Sequence, residues 1–215
     1  MKNLFFSIQK QYNLSENQIE QYRSYISFLQ EENKKYDLTN IDTLEGILTL
    51  HLSDTLEITK TSLIKNQKYF VDIGSGCGVP GIVLAIFYPE KNFILIEVKN
   101  KKINFLNEVI KKLNLKNSLV YEQDFRTFVN QAPYYVDVFL TRASLSVNEI
   151  TNYLFQKKSH YKKTEFFYWA SSTWKEKKQH TAILKDKKTI ITEVPYSIGY
   201  KEETRNLFYV SIKKS

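Results

Sequence analysis

Between Tyr69 and Ile82 the chain runs Tyr-Phe-Val-Asp-Ile-Gly-Ser-Gly-Cys-Gly-Val-Pro-Gly-Ile, and few folds accept such a stretch. The apolar run up to Ile73 has strand length and predicts a short buried strand. Gly74, Gly76 and Gly78 then let the backbone turn sharply and approach a ligand with no Cβ in the way. Pro80 suits the first turn of a helix, where its missing N–H goes unused. A helix starting there presents free N–H groups and positive potential. The whole segment reads as a cradle for a nucleotide or cofactor.

At 215 residues, 42% of them hydrophobic, the chain suits one globular domain with an appendage. Lysine and arginine total 31 against 23 acidic residues, a net charge of +8. This balance favours an anionic partner, nucleic acid before a membrane surface, with a merely lysine-rich composition as the bland alternative. Cys77 is the single cysteine, so no intrachain disulfide forms. The apolar run near Leu4 is too short for a signal peptide, and no run has membrane-spanning length. A soluble, cytoplasmic, monomeric protein with no membrane partner is the expectation.

Two parts are expected, a helical extension over residues 1–66 packed on a core domain over 67–215. In the extension, Ser15 and Gln18 have the spacing of a capping box, with Leu14 and Ile19 placed to close a hydrophobic staple. That helix should end near Tyr36-Asp37. A second begins at Asp42 or Thr43 and runs to about Lys60, with Leu48, Leu52 and Leu56 facing inward. His51 and Asp54 are neighbours on it. Spacing alone favours a surface or boundary ion pair; the functional reading puts both at the mouth of the cradle. No second histidine or cysteine stands at ligand spacing, so metal binding has no support.

From residue 67 the period changes. Strands are expected at 69–73, 93–98, 118–122, 136–141, 166–170, 189–195 and 207–213. Helices are expected at 80–88, 99–114, 146–158 and near 174–184. Alternation of nearly continuous apolar strands with helices implies a Rossmann-like α/β fold. Its sheet is mostly parallel, covered on both faces, and finished by an antiparallel C-terminal hairpin. Residues 156–188 are rich in lysine, with Trp169, Trp174 and other aromatics interleaved. This stretch suits RNA phosphates and unpaired bases, or else forms a solvated lysine face over core aromatics.

Ligands of such sheets lie beyond the carboxyl ends of the strands. Asp72, Glu97, Asp124-Phe125-Arg126 and Thr141-Arg142 all fall there. Glu97 stands where a carboxylate can accept hydrogen bonds from ribose hydroxyls. The glycines satisfy two templates, the dinucleotide fingerprint from Gly76 to Gly81 and the S-adenosylmethionine pattern D-x-G-x-G-x-G from Asp72 to Gly78. Asp72 favours the second, because a carboxylate suits the amine-bearing methionine end of that cofactor and would repel a pyrophosphate. The terminal hairpin favours it too.

With these residues the chain resembles the small-subunit ribosomal RNA guanine-N7 methyltransferase family, RsmG or GidB. The matching motifs are Leu38-Thr39-Asn40-Ile41, His51 with Asp54, Asp72 through Ile82 with its Val79-Pro80-Gly81 continuation, Glu97, Lys101 to Leu106, Thr141-Arg142-Ala143 and Arg205-Asn206-Leu207. The resemblance implies methyl transfer from S-adenosylmethionine to N7 of a guanine in small-subunit rRNA, naked or within a ribosomal subunit. It implies cofactor contacts by Asp72, Gly74, Ser75, Gly76 and Val79, Glu97 at the ribose, and Phe125 and Arg126 beside the adenine. Arg142 would act catalytically where cofactor and RNA meet, with His51, Asp54 and Lys175 on the RNA side. The chain departs from the family at Phe125-Arg126, where a small residue and Glu are usual. It also lacks the Lys-Gly pair expected after the fifth strand, for which Lys175 is an out-of-register substitute. A methyltransferase for a small molecule or protein, or a non-catalytic RNA-binding relative, are the alternatives; an NAD-dependent dehydrogenase fits least.

Overall fold

The computed structural model describes residues 2–142, 144–154, 161, 163–171, 189–198 and 203–213. Helix α1 (Lys2–Tyr12) leads into α2 (Glu16–Tyr36). The capping box forms: Ser15 N–H donates to Gln18 Oε1 at 2.9 Å and Gln18 N–H to Ser15 Oγ at 3.3 Å. Helix α2 ends at Asp37, which is left-handed. Thr43 caps the next run, which is less regular than its periodicity predicts. Helix α3 (Leu44–Gly46) passes into wide π-helical turns over Ile47–Ser53, then α4 (Asp54–Leu56) and a tight 3₁₀ turn over Glu57–Lys60.

The core alternates strand and helix: β1 (Tyr69–Ile73), α5 (Gly81–Phe87), β2 (Asn92–Ile96), α6 (Asn100–Lys112), β3 (Ser118–Tyr121), α7 (Phe125–Gln131), β4 (Val138–Arg142), α8 (Val147–Leu154), β5 (Lys163–Ser171), β6 (Thr189–Ile198) and β7 (Glu203–Lys213). The expected scheme has no helix between β3 and β4, and α7 is there because Asp124 Oδ1 accepts the Thr127 N–H at 2.7 Å and caps it. The hairpin is longer than expected, with β6 reaching Ile198 and β7 starting at Glu203. Lys175, Trp174, the expected helix over 174–184 and most of the basic stretch lie outside the described residues.

The sheet order is β3-β2-β1-β4-β5-β7-β6, with β7 antiparallel to both its neighbours. Alternate residues of each strand face opposite layers, as the pleat requires. Phe70, Phe93, Leu95, Val138 and Leu140 pack against the layer of α1, α2, α5 and α6. Val71, Ile73, Ile94 and Phe139 pack against α7 and α8. The extension belongs to the first layer: Tyr22, fully buried, donates its hydroxyl to the Val83 carbonyl at 2.9 Å. Among the described residues no helix is long and apolar enough to cross a membrane.

Candidate functional site

The site is built at the carboxyl end of β1. Gly74, Gly76 and Gly78 have φ of +69°, +58° and +93°, where side chains other than glycine's are strained. The turn is tied internally, with Ser75 N–H donating to Ile96 O at 2.9 Å and Gly78 N–H to Ser75 O at 2.7 Å. A Cβ on Gly74 would stand 2.5 Å from Ser144 Cβ. Ser144 is in turn fixed, its hydroxyl donating to Ile73 O at 2.6 Å and lying 2.8 Å from Thr141 Oγ1. The helix after the loop begins at Gly81, one residue past Pro80, and a Cβ there would strike Leu95 and Asp72.

Two carboxylates hold the loop. Asp72 is fully buried, and its Oδ2 accepts the Gly81 N–H at 3.0 Å. Its Oδ1 is buried with no hydrogen-bond partner among the described residues. Burial, only partly offset by the bonds from Gly81 and Ser75, pushes the acid up to about 7. Glu97 follows β2 directly. Its Oε2 accepts from Gly76 N–H at 2.9 Å, and its Oε1 from Val98 and Lys99 N–H at 2.9 and 3.0 Å. A cavity of about 550 Å³ opens beside it, between the link after α2 (Thr39, Asn40) and the start of α6 (Lys99, Lys101, Lys102).

His51 and Asp54 are both buried, which overturns the surface or boundary ion pair that their spacing favours. They turn to different partners. His51 Nε2 lies 3.1 Å from Thr39 Oγ1 and 3.9 Å from Cys77 Sγ, joining the link to the glycine loop. Burial, and then the Arg142 charge, lower its pKa to about 4, so the ring is neutral near pH 7. Asp54 Oδ2 instead faces Arg142 Nη1 at 3.4 Å and Arg205 Nη1 at 3.8 Å, and Asp54 Oδ1 accepts the Tyr196 hydroxyl at 2.5 Å. Partners so remote in sequence leave no spacing signal. Tyr25 is another unannounced participant: buried on α2, it donates to Cys77 O at 2.6 Å and supports the loop from beneath.

Phe125 and Arg126 start α7 and part company. Phe125 is buried edge-on against Phe139 in the far layer, and Arg126 is exposed. The Phe125 side chain is thereby turned into the core, while the Arg126 side chain stays at the surface. Among the described residues no three histidine, cysteine or acidic side chains converge as metal ligands. The buried oxygen of Asp72 unpartnered among the described residues, the Gly74 position that admits no Cβ and the carboxylate after β2 together fit a ligand with a cationic end and a diol.

The family model for rRNA small subunit methyltransferase G, GidB, matches residues 18–207. The chain is 45% identical over 130 residues to the Ribosomal RNA small subunit methyltransferase G of Mesoplasma florum, covering 55% of this chain and 54% of that protein. It is 34% identical over 140 residues to the protein of the same name from Colwellia psychrerythraea, covering 65% of each. The matches thus span between half and two thirds of these relatives' own lengths. Among solved structures, a mutant of MtNAS in complex with S-adenosylmethionine shares the fold at TM-score 0.55 and 13% identity, over 98% of this chain and 84% of that one.

Proposed function

Because the chain belongs to the rRNA small subunit methyltransferase G family, we propose that it methylates N7 of a guanine in small-subunit rRNA with S-adenosylmethionine as donor. The observation that carries this reading is the buried Asp72 Oδ1, unpartnered among the described residues, beside a loop that admits no Cβ at Gly74. A carboxylate there complements the amine of the donor's methionine end. Glu97 accepts the ribose hydroxyls, and the backbone from Gly74 through Gly76 and at Val79 lines the donor. Arg126 and the backbone of Phe125 flank the adenine.

Bound there, the donor would supply a sulfonium methyl as the electrophile for a guanine N7. Guanine N7 carries no proton and has an exposed lone pair, so the chain needs no general base. Its residues act by alignment in a dry site. Arg142 ends β4, next to β1, and meets the guanine O6 or a phosphate. Asp54 and His51 lie behind it. The net charge of +8 and the lysines of the cavity beside Glu97 support an RNA partner, met in the cytoplasm by a monomer.

The test is tritium transfer from labelled S-adenosylmethionine into unmodified small-subunit rRNA or subunits. Label enters RNA with the wild-type protein and is lost in Gly74→Asp. Label in a small molecule or protein instead would move the acceptor elsewhere. RNA binding without donor binding would make the chain a non-catalytic relative.

A further inference from the structure

The terminal hairpin reverses direction at the edge of the sheet, and the reversal has a chemical result. Because β7 runs antiparallel to β5, its amino end, not its carboxyl end, reaches the ligand side: Arg205 pairs with Ser171, and Tyr196 of β6 with Arg205. Both side chains converge on Asp54, as Arg142 does from β4. The indole N–H of Trp169 on β5 donates to the Asp54 carbonyl at 3.1 Å and anchors the residue from the sheet.

A buried carboxylate facing two guanidiniums is weak evidence of a stabilising device and better evidence of a placed charge. The distances favour placement. A structural arginine–carboxylate fork closes to about 2.8 Å with two parallel bonds. Here the nitrogens stand at 3.4 and 3.8 Å. Arg142 Nη1, buried, makes no hydrogen bond among the described residues. A short bond to Asp54 comes instead from an uncharged donor, the Tyr196 hydroxyl, at 2.5 Å. The phenol therefore sets the rotation of the carboxylate, and the carboxylate holds the arginine by charge without saturating its N–H groups.

We propose that Tyr196 is a positioning residue that, through Asp54, aims the Arg142 guanidinium at the target nucleotide. This rests on the rRNA methyltransferase reading. It gives the C-terminal hairpin a part in substrate handling rather than in sheet closure alone. Arg205 also approaches Asp54, so the carboxylate's charge is shared between two guanidiniums.

The experiment is a double-mutant cycle on binding of an unmodified small-subunit rRNA transcript, read by filter retention at fixed salt. Tyr196→Phe removes only the hydroxyl. It should weaken RNA binding roughly tenfold, as losing a charge-assisted bond does, with S-adenosylmethionine affinity within about twofold by calorimetry. In an Arg142→Lys background the same change should cost less than about twofold, because its effect runs through the guanidinium. Equal losses in both backgrounds, or Tyr196→Phe binding as tightly as wild type, would overturn the proposal. Should Tyr196→Phe not fold, Asp54→Asn goes through the same cycle with the same expectations. A wild-type protein that binds and methylates rRNA while the cycle is additive defeats this proposal alone. One that does neither defeats the functional reading beneath it.

Discussion

The Gly76 N–H donates to Glu97 Oε2 at 2.9 Å, so the glycine loop after β1 and the end of β2 form one unit. The second oxygen of Glu97 holds the next two backbone N–H groups. A ligand that uses Glu97 therefore meets a carboxylate already oriented, and the loop is shaped before the ligand arrives.

Gly74 tests that preorganisation. With φ at +69° and Ser144 Cβ 2.5 Å from any added Cβ, Gly74→Ala adds strain and a clash. A left-handed non-glycine residue alone costs about 1–2 kcal/mol. S-adenosylmethionine affinity should fall at least roughly tenfold by calorimetry.

Asp72 should make donor binding depend on pH. Burial raises its acid from 3.8 to about 7. Between those values the folded protein keeps the proton and the unfolded chain does not. The contribution of Asp72 to stability thus declines as pH rises from about 4 to about 7, then levels off, by on the order of 4 kcal/mol at most. His51, lowered to about 4, acts oppositely below its ordinary pKa, so the comparison must be wild type against Asp72→Asn. The variant without ligand should gain stability on wild type from pH 5 to 8 in urea titrations. Its affinity for S-adenosylmethionine should be weak and flat with pH, whereas that of wild type climbs between pH 6 and 8.

Tyr25 ties the N-terminal helices to the glycine loop. Tyr25→Phe leaves the ring and strands the buried Cys77 carbonyl, at a cost of about 1–3 kcal/mol. Urea unfolding should record that loss, and donor affinity should fall with it, because the carbonyl belongs to the glycine loop.

Phe125 and Arg126 should separate cleanly. Phe125→Ala empties a core position, 4% exposed, and should destabilise by about 3–5 kcal/mol. Arg126→Ala on the exposed face should change stability by less than about 0.5 kcal/mol and weaken only donor binding.

The sequence carries the cradle almost completely. The glycine spacing, Asp72 and Glu97 are local signals, and the structure puts them together. The nearly continuous apolar strands and the Ser15–Gln18 cap are legible for the same reason, since each is set by near neighbours. Helix α7 is harder to see because it is short and its apolar residues Phe125, Phe128 and Val129 span barely one turn. The regular helix read from 43 to 60 widens at Ile47–Ser53, a change no hydrophobic period encodes. The Asp54 cluster is least legible. Its carboxylate is shared by Arg142, Tyr196 and Arg205, brought together by an antiparallel reversal at the far end of the chain.

The most direct measurement is where the methyl goes. Small-subunit rRNA lacking the modification is incubated with protein and S-adenosylmethionine, reduced with borohydride and treated with aniline, which breaks the strand at N7-methylguanosine. The account predicts scission at a single guanosine, absent without donor and absent with Gly74→Asp. Methyl label in the RNA with no new scission, or a protein that binds the donor and leaves the RNA unlabelled, would contradict it.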